Sequence, residues 1–465
     1  MINRIKPWDG FQPWLLEHHK KIKFWFSAHS TFQQSPREFI DIADWGREVA
    51  KYLPNSSNAP NFWKNSEAYL DLSQFLGQNM FRFSFEISQL CPKLGEFNDR
   101  VMEQYIRILL NIIARGQEPM VCLFHWTLPA FFTTSNKESA WDHPEILSHF
   151  FFYINKVADY LQDESKIDTI IQTMDLSEDA KKKLPRKDLV KYFISLNEPT
   201  TYNLDSFLVG VFPPFKKIDF VRFEKTLNLW VKIHDKMYER FGLRNNNNSK
   251  IGLSHNWTVF EGPLGYILQK LLNERTLKKF ERAGSNSDFF SLQHYCRFKL
   301  LPYLMHTFGP DLFEPFLRKY DFGDHPGFGD IYPHGIYKSL KRMHEIYPNK
   351  ELWVTEFGFA DNSDLSRPHF IFETVREITY AIRDGANIWG AGLWSDVDNY
   401  EWDQRMKVKL GLMAEKKIYS PLRPMDGKIG SWEAWRAIAT LNKTKDLKEF
   451  EILRIKAHSQ YMKKR

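Results

Sequence analysis

Hydrophobic and polar positions along this chain alternate between two rhythms. Short apolar runs rich in β-branched and aromatic residues occur eight times: KFWFSAH (23–29), MFRFSFE (80–86), PMVCLFH (119–125), KYFISLNE (191–198), KIGLSHN (250–256), FFSLQHY (289–295), LWVTEFG (352–358) and IWGAGLW (388–394). Runs of this length and composition predict buried strands. The longer stretches between them carry helical spacing. In FEKTLNLWVKIHDKMYERFG, Phe223, Leu227, Val231, His234, Tyr238 and Phe241 share one face, and Gly242 is placed to supply a C-terminal cap. Eight strands alternating with helices predict an α/β protein, a closed parallel (β/α)8 barrel with an outer ring of helices.

A length of 465 residues would suit two or three average domains, but barrels of this class reach it as one. The reading is a single barrel domain over 21–445, preceded by an N-terminal extension (1–20) and followed by a basic C-terminal tail (446–465). A charged insertion, DESKIDTIIQTMDLSEDAKKKLPRKD, falls at about 161–190. Apolar residues at 43% and charged residues at 26% fit a folded globular chain. Fifteen Trp, 19 Tyr and 39 Phe exceed what a core requires. Flat rings suit the C–H faces of sugars, with an aromatic-rich core as the plain alternative. The net charge of +7 is scattered, and no basic stripe interleaved with aromatics marks a nucleic-acid partner. Cys91, Cys122 and Cys296 are far apart and form no Cys-x-x-Cys pair, which fits a reducing, cytoplasmic setting. The segment MINRIKPWDGFQPW has no continuous apolar stretch, and no run of 18 apolar residues occurs, so neither a signal peptide nor a membrane span is expected.

Polar and aromatic groups collect at the C-terminal ends of the predicted strands: Gln33 just past the first, Arg82 within the second, then His125 and Trp126, Asn197 and Glu198, His255 and Asn256, Tyr295, Glu356 and Trp394. In a parallel barrel those ends converge on one mouth. FISLNEP thus delivers Glu198 to the rim, where Pro199 stops the strand ladder, and LWVTEFG delivers Glu356, with Gly358 permitting the turn after it. Two carboxylates meeting there match acetal cleavage, in which one protonates the leaving group and the other meets the positive charge at the anomeric carbon. A structural network of buried glutamates and basic residues is the alternative.

With these residues in view, the chain resembles family 1 glycoside hydrolases, the β-glucosidase and β-galactosidase group. NEP (197–199) and TEFG (355–358) resemble its acid/base and nucleophile signatures, FRFSFEISQLCP (81–92) its arginine-bearing second strand, LFHWTLP (123–129) its His-Trp motif, and LWSDVDNYEW (393–402) its sugar-binding loop. The resemblance implies a retaining β-glycosidase that needs no cofactor and no metal and takes a small β-glycoside or oligosaccharide as its partner. It implies Glu198 as acid/base and Glu356 as nucleophile, with Arg82 and Tyr295 holding the nucleophile and Asn197 on the sugar 2-hydroxyl. Gln33, His125, Trp126, Glu401 and Trp402 then bind the glycone, with Trp394 stacking beneath the ring.

Some positions depart from the family pattern. Phe357 stands where asparagine is common, Gln293 where asparagine is usual, Asp396 where an apolar residue is typical, and AHSTFQQ replaces ATSAYQIEG. These changes bear on glycone preference and rate before they bear on the reaction. The chain keeps Glu401 and Trp402, and Leu410 stands where 6-phosphoglycosidases are expected to carry tyrosine, so a neutral glucoside, then a galactoside, is expected ahead of a 6-phosphoglycoside. A metal-dependent hydrolase using His29, His125, His255 and His294, and a non-catalytic sugar-binding protein on the same barrel, are the rival readings. Nothing in the sequence assigns an oligomeric state.

Overall fold

Each of the eight apolar runs forms a strand: β1 (Phe24–Ser27), β2 (Met80–Ser84), β3 (Glu118–Cys122), β4 (Tyr192–Asn197), β5 (Lys250–Asn256), β6 (Phe289–His294), β7 (Glu351–Phe357) and β8 (Ile388–Leu393). The structure is a computed structural model and describes residues 13–52, 61–135, 137–242, 248–282, 286–299, 331–414 and 427–464. All strand pairings are parallel, in the order β1-β8-β7-β6-β5-β4-β3-β2. The ring closes through a bridge between Ala28 and Arg82, where the His29 N–H donates to the Arg82 carbonyl at 3.0 Å. Parallel strands need long crossovers, and helices supply them, as the alternating pattern predicts.

Inside the barrel Phe26, Met80, Met120, Cys122, Tyr192, Ile194, Phe289 and Trp353 form a closed apolar core. Its rings fit because glycines face them: a Cβ on Gly392 would lie 2.3 Å from the Phe26 ring. Alternate residues point outward to the helices, where the larger core lies. The helix Phe220–Phe241 buries Phe223, Leu227, Val231, His234, Tyr238 and Phe241, the face expected from spacing, and ends at Gly242.

The peripheral segments are ordered by the same logic. Within the 161–190 insertion, helices Glu164–Gln172 and Glu178–Lys183 form, and the first buries Ile167, Ile170 and Ile171. Residues 13–19 form a helix, and His19 stacks on Trp25 with ring centroids 4.7 Å apart; residues 1–12 lie outside the described residues. The stretch read as a basic tail folds back as a helix, Leu447–Lys464. Phe450 meets Phe372 edge-on at 5.1 Å, and Gln460 Nε2 donates to the Leu365 and Ile429 carbonyls at 3.1 and 3.2 Å. Phe450, Arg454 and Ala457 are its buried face, spaced by four and three as helical packing requires.

Candidate active site

Strict alternation would turn Asn197 and Glu356 away from the barrel interior. Both carbonyl-end regions break it: the β4–β5 register shifts between Ile194 and Asn197, and the β6–β7 register shifts between Leu292 and Gln293. Irregularities of this kind re-aim side chains. Asn197 is then fixed by its N–H to the Phe124 carbonyl at 3.0 Å and Glu198 by its N–H to the Ser254 carbonyl at 2.9 Å. Glu198 sits at φ 45°, in the left-handed region, and Pro199 opens the short helix Pro199–Asn203 directly after it. Trp126 (φ 79°) and Trp402 (φ 35°) are held there as well. A left-handed non-glycine residue costs roughly 1–3 kcal/mol, so three in one locality mark a place that the surrounding structure over-determines. Gly358, expected to allow a turn, stands at a close approach: a Cβ there would lie 2.7 Å from the Trp394 carbonyl oxygen.

The two carboxyl groups are both 3% exposed, and buried charge needs partners. Glu356 has them in number. Arg82 forms an ion pair with its Oε1, Gln293 Nε2 donates to the same oxygen at 2.6 Å, and the Tyr295 hydroxyl donates to Oε2 at 2.5 Å. Burial opposes the Arg82 charge, yet Glu356 beside it raises the guanidinium above its usual range and keeps it a cation. Burial, then the Glu356 charge, raises the Tyr295 phenol well above normal and keeps it a donor. Glu198 has little help. Asn256 Nδ2 is 3.5 Å from its Oε2 and Thr201 contributes a side-chain hydrogen bond, while burial and then the Glu356 charge push its carboxyl well above the usual carboxylate range.

Around this pair the remaining expected residues form one continuous surface. Asn197 Oδ1 accepts from Arg82 and Gln293 at 2.8 and 2.7 Å, its Nδ2 faces His125 Nε2 at 3.2 Å, and its carbonyl accepts from Trp126 Nε1 at 2.7 Å. Burial, then the Arg82 charge, pushes the His125 imidazole well below its usual range, so it is neutral. Its ring lies 5.9 Å from both Trp394 and Trp402. Trp394 Nε1 donates to Glu401 Oε2 at 3.1 Å, Gln33 also bonds Glu401, and Gln33 Nε2 donates to the Tyr400 carbonyl at 2.6 Å. Burial raises the Glu401 carboxyl to about 8, opposed by the Trp394 bond and helped by the Glu356 charge. Three buried atoms of this surface, Gln33 Oε1, His125 Nδ1 and Gln293 Oε1, have no protein partner among the described residues, and buried polar groups are normally paired.

All eleven expected residues therefore converge. Gln293 and Asn256 were not among them, although both touch the carboxyl groups; Gln293 lies two residues before Tyr295 in the apolar run 289–295, a spacing that puts both on one face and is the signal that finds it. The other departures have structural explanations. Asp396 pairs with His29 at 3.3 Å and accepts from Gln78 Nε2 at 2.8 Å, so two unusual residues answer each other below the site. Phe357 turns outward and meets Phe370 and Trp435. His294 is engaged by the Trp257 and Tyr332 carbonyls and the His255 ring meets Trp257 edge-on at 6.0 Å, and among the described residues no three potential ligands cluster as a metal site.

Comparison with known proteins agrees with this architecture. The profile of glycosyl hydrolase family 1 matches residues 46–180 and 325–419. A rice protein described as chloroplastic beta-glucosidase-like SFR2 is 22% identical over 387 residues, which cover 78% of this chain and 53% of that protein. The chain thus spans about half the length of this relative. The 1,4-beta-D-glucan glucohydrolase of Thermotoga neapolitana is 23% identical over 393 residues, covering 76% and 84% of the two chains, and 6-phospho-beta-galactosidases are also among the relatives. The crystal structure of Fpglu1 from Fervidobacterium superposes with a TM-score of 0.70 at 21% identity, covering 93% of this chain and 99% of that one.

Proposed function

We propose that this chain is a member of glycosyl hydrolase family 1, whose profile it matches, and a retaining β-glycosidase in which Glu356 is the nucleophile and Glu198 the acid/base. The observation that carries this reading is the unequal treatment of two neighbouring buried carboxyl groups: one is surrounded by Arg82, Tyr295 and Gln293, the other is pushed toward its protonated form. An ionised Glu356 attacks the anomeric carbon while protonated Glu198 delivers its proton to the departing oxygen. Glu198, now a carboxylate, then takes a proton from the water that opens the glycosyl ester, and Glu356 leaves. Asn197, oriented by Arg82 and Gln293, turns its amide toward the place of the sugar 2-hydroxyl, where a hydrogen bond strengthens in the transition state.

The substrate is a neutral hexoside, a glucoside first and a galactoside next. Glu401, tied to Trp394 and Gln33, suits neutral hydroxyl groups as donor or acceptor, and a phosphate dianion beside this acidic, buried group is disfavoured. Lys409, the nearest candidate for a phosphate, lies 3.7 Å from Asp398, and Leu410 packs with Ala28, Ala360 and Trp394. Cys91, Cys122 and Cys296 are buried and far apart in sequence, which suits a reducing, cytoplasmic setting. Among the described residues no helix is long and apolar enough to cross a membrane.

The test is a panel of nitrophenyl β-glycosides that includes β-glucoside 6-phosphate, with proton NMR of the first-formed sugar. Turnover of the neutral glucoside to the β-anomer is expected. First appearance of the α-anomer would replace retention with inversion, preference for the 6-phosphate would overturn the substrate assignment, and inactivity on every glycoside would favour a sugar-binding protein.

A further inference from the structure

One side of the barrel mouth carries a surface for which glycoside cleavage has no use. Two segments build it. Residues 211–219 and the helix Phe220–Phe241 follow β4, and the helical stretch Pro263–Arg282 follows β5 and the short strand Val259–Glu261. A helix that follows a barrel strand begins at the strand's C-terminal end, so both segments flank the end that holds Glu198. They lie side by side: Arg275 and Lys279 both reach Glu224, at 2.5 and 2.7 Å.

The surface is apolar where water would be expected. Ile218, Phe220 and Val221 are 59, 61 and 80% exposed on the first segment. On the second, Leu264, Tyr266, Ile267 and Leu271 are 54–71% exposed. Together with Val211 these make eight of the fifteen exposed large apolar side chains among the described residues, a concentration that marks an interaction site. The same elements are strongly basic. Residues 211–241 and 263–282 hold twelve Lys or Arg against six Asp or Glu, a net charge of +6 where the whole chain carries +7. Arg222 and Lys225 pair with Asp142 and Arg240 with Asp159, and residues 446–465 carry a further +3, so this face keeps a basic excess without holding the whole charge of the chain.

We infer that this face docks the enzyme on an anionic lipid bilayer and turns the mouth toward glycosides carried on lipids. Exposed apolar side chains on helices that also carry lysines are the composition of interfacial segments, which insert Leu, Ile and aromatic groups at the headgroup boundary. Each basic residue near an anionic leaflet strengthens partition by up to about fivefold. A second copy of the chain fits worse, because it would bring two basic faces together. Docking does not depend on the glycosidase reading; the lipid-linked substrate does.

Cosedimentation of the full chain with phosphatidylcholine vesicles, with and without phosphatidylserine, tests the inference. Binding should require phosphatidylserine and fall as salt rises. The variants Leu264→Ser/Ile267→Ser/Leu271→Ser and Lys232→Glu/Lys270→Glu should each bind about tenfold more weakly or less while retaining wild-type circular dichroism and wild-type rates on a soluble nitrophenyl glycoside. Should the triple variant fail to fold, Phe220→Ser/Val221→Ser carries the same expectation. Equal binding to both vesicles, no binding, or unchanged binding by the variants overturns the docking. So does a dimer in analytical ultracentrifugation that the variants dissolve, which would assign the face to a second copy. With binding intact, hydrolysis of dodecyl β-glucoside no faster in phosphatidylserine vesicles than in phosphatidylcholine overturns the substrate class alone. Inactivity on all glycosides with binding intact defeats the glycosidase reading and leaves the docking standing.

Discussion

Glu356 and Glu198 are the same side chain at two strand ends of one barrel, buried to the same extent, and the protein treats them in opposite ways. Three donors, one of them a cation from β2 and two from the end of β6, converge on Glu356. On Glu198 a long contact from Asn256 and a bond from Thr201 do not offset burial and the negative charge of its neighbour. Identity of residue type thus says nothing about role; the count and charge of the donors around each carboxyl do. The difference is mutually reinforcing, since the more firmly Glu356 is held as an anion, the more its charge keeps the proton on Glu198.

Removing either carboxyl breaks the comparison outright, and the two losses should differ in kind. Glu356→Ala should lower kcat/KM on every substrate, on the order of 10⁴-fold or more, because no covalent intermediate can form. Comparing fast- and slow-leaving aryl glycosides checks this: equal, near-complete loss on both is expected, and retained turnover of either would move the nucleophile elsewhere. Glu198→Ala should cost roughly 10²–10⁴-fold on poor leaving groups and far less on dinitrophenolate, which departs without a proton. Added azide should restore part of the rate by attacking without a general base. Equal losses across leaving groups would refute the acid/base role.

Much of this contrast was legible in the sequence. The eight runs, their order and the two rim carboxyls follow from β-branched runs ending in polar residues, and Arg82 and Tyr295 from a family resemblance. What was not legible depends on register and on distant pairing. The shifts before Asn197 and Gln293 leave no mark in a composition of apolar residues, yet they decide which side chains enter the pocket. His29 and Asp396 look like two separate irregularities 367 positions apart until the fold places them together. The helix at 447–464 was hidden by its lysines, because charge on the outer face dominated a buried stripe of only Phe450, Arg454 and Ala457.

Gln293 is the sharper probe of the anionic side, because it donates to Glu356 and Asn197 with one amide nitrogen. Gln293→Leu keeps the volume and removes the donor. A hydrogen bond to a charged group contributes about 1.5–3 kcal/mol, so kcat should fall about 10–100-fold. An ionised carboxylate that loses a donor is easier to protonate, so the acid limb of the pH profile should move to higher pH. A fall in rate with an unmoved acid limb would restrict Gln293 to orienting Asn197.

Asn256 probes the other side, and its effect should be the smallest. Its amide lies 3.5 Å from Glu198, at the long edge of hydrogen bonding, and as a donor it favours the ionised form. Asn256→Ala should therefore raise the Glu198 carboxyl further above its ordinary range, not lower it. The acid form then persists to higher pH, so the alkaline limb of kcat/KM should move up by less than about one pH unit, with the rate near neutrality changed less than about threefold. The direction is what matters. Gln293→Leu moves the acid limb and Asn256→Ala the alkaline limb only if the two amides serve different carboxyls. A downward move of the alkaline limb would mean that Asn256 turns its oxygen toward a proton already resident on Glu198, the opposite amide orientation, so the contact would be holding the acid form in place.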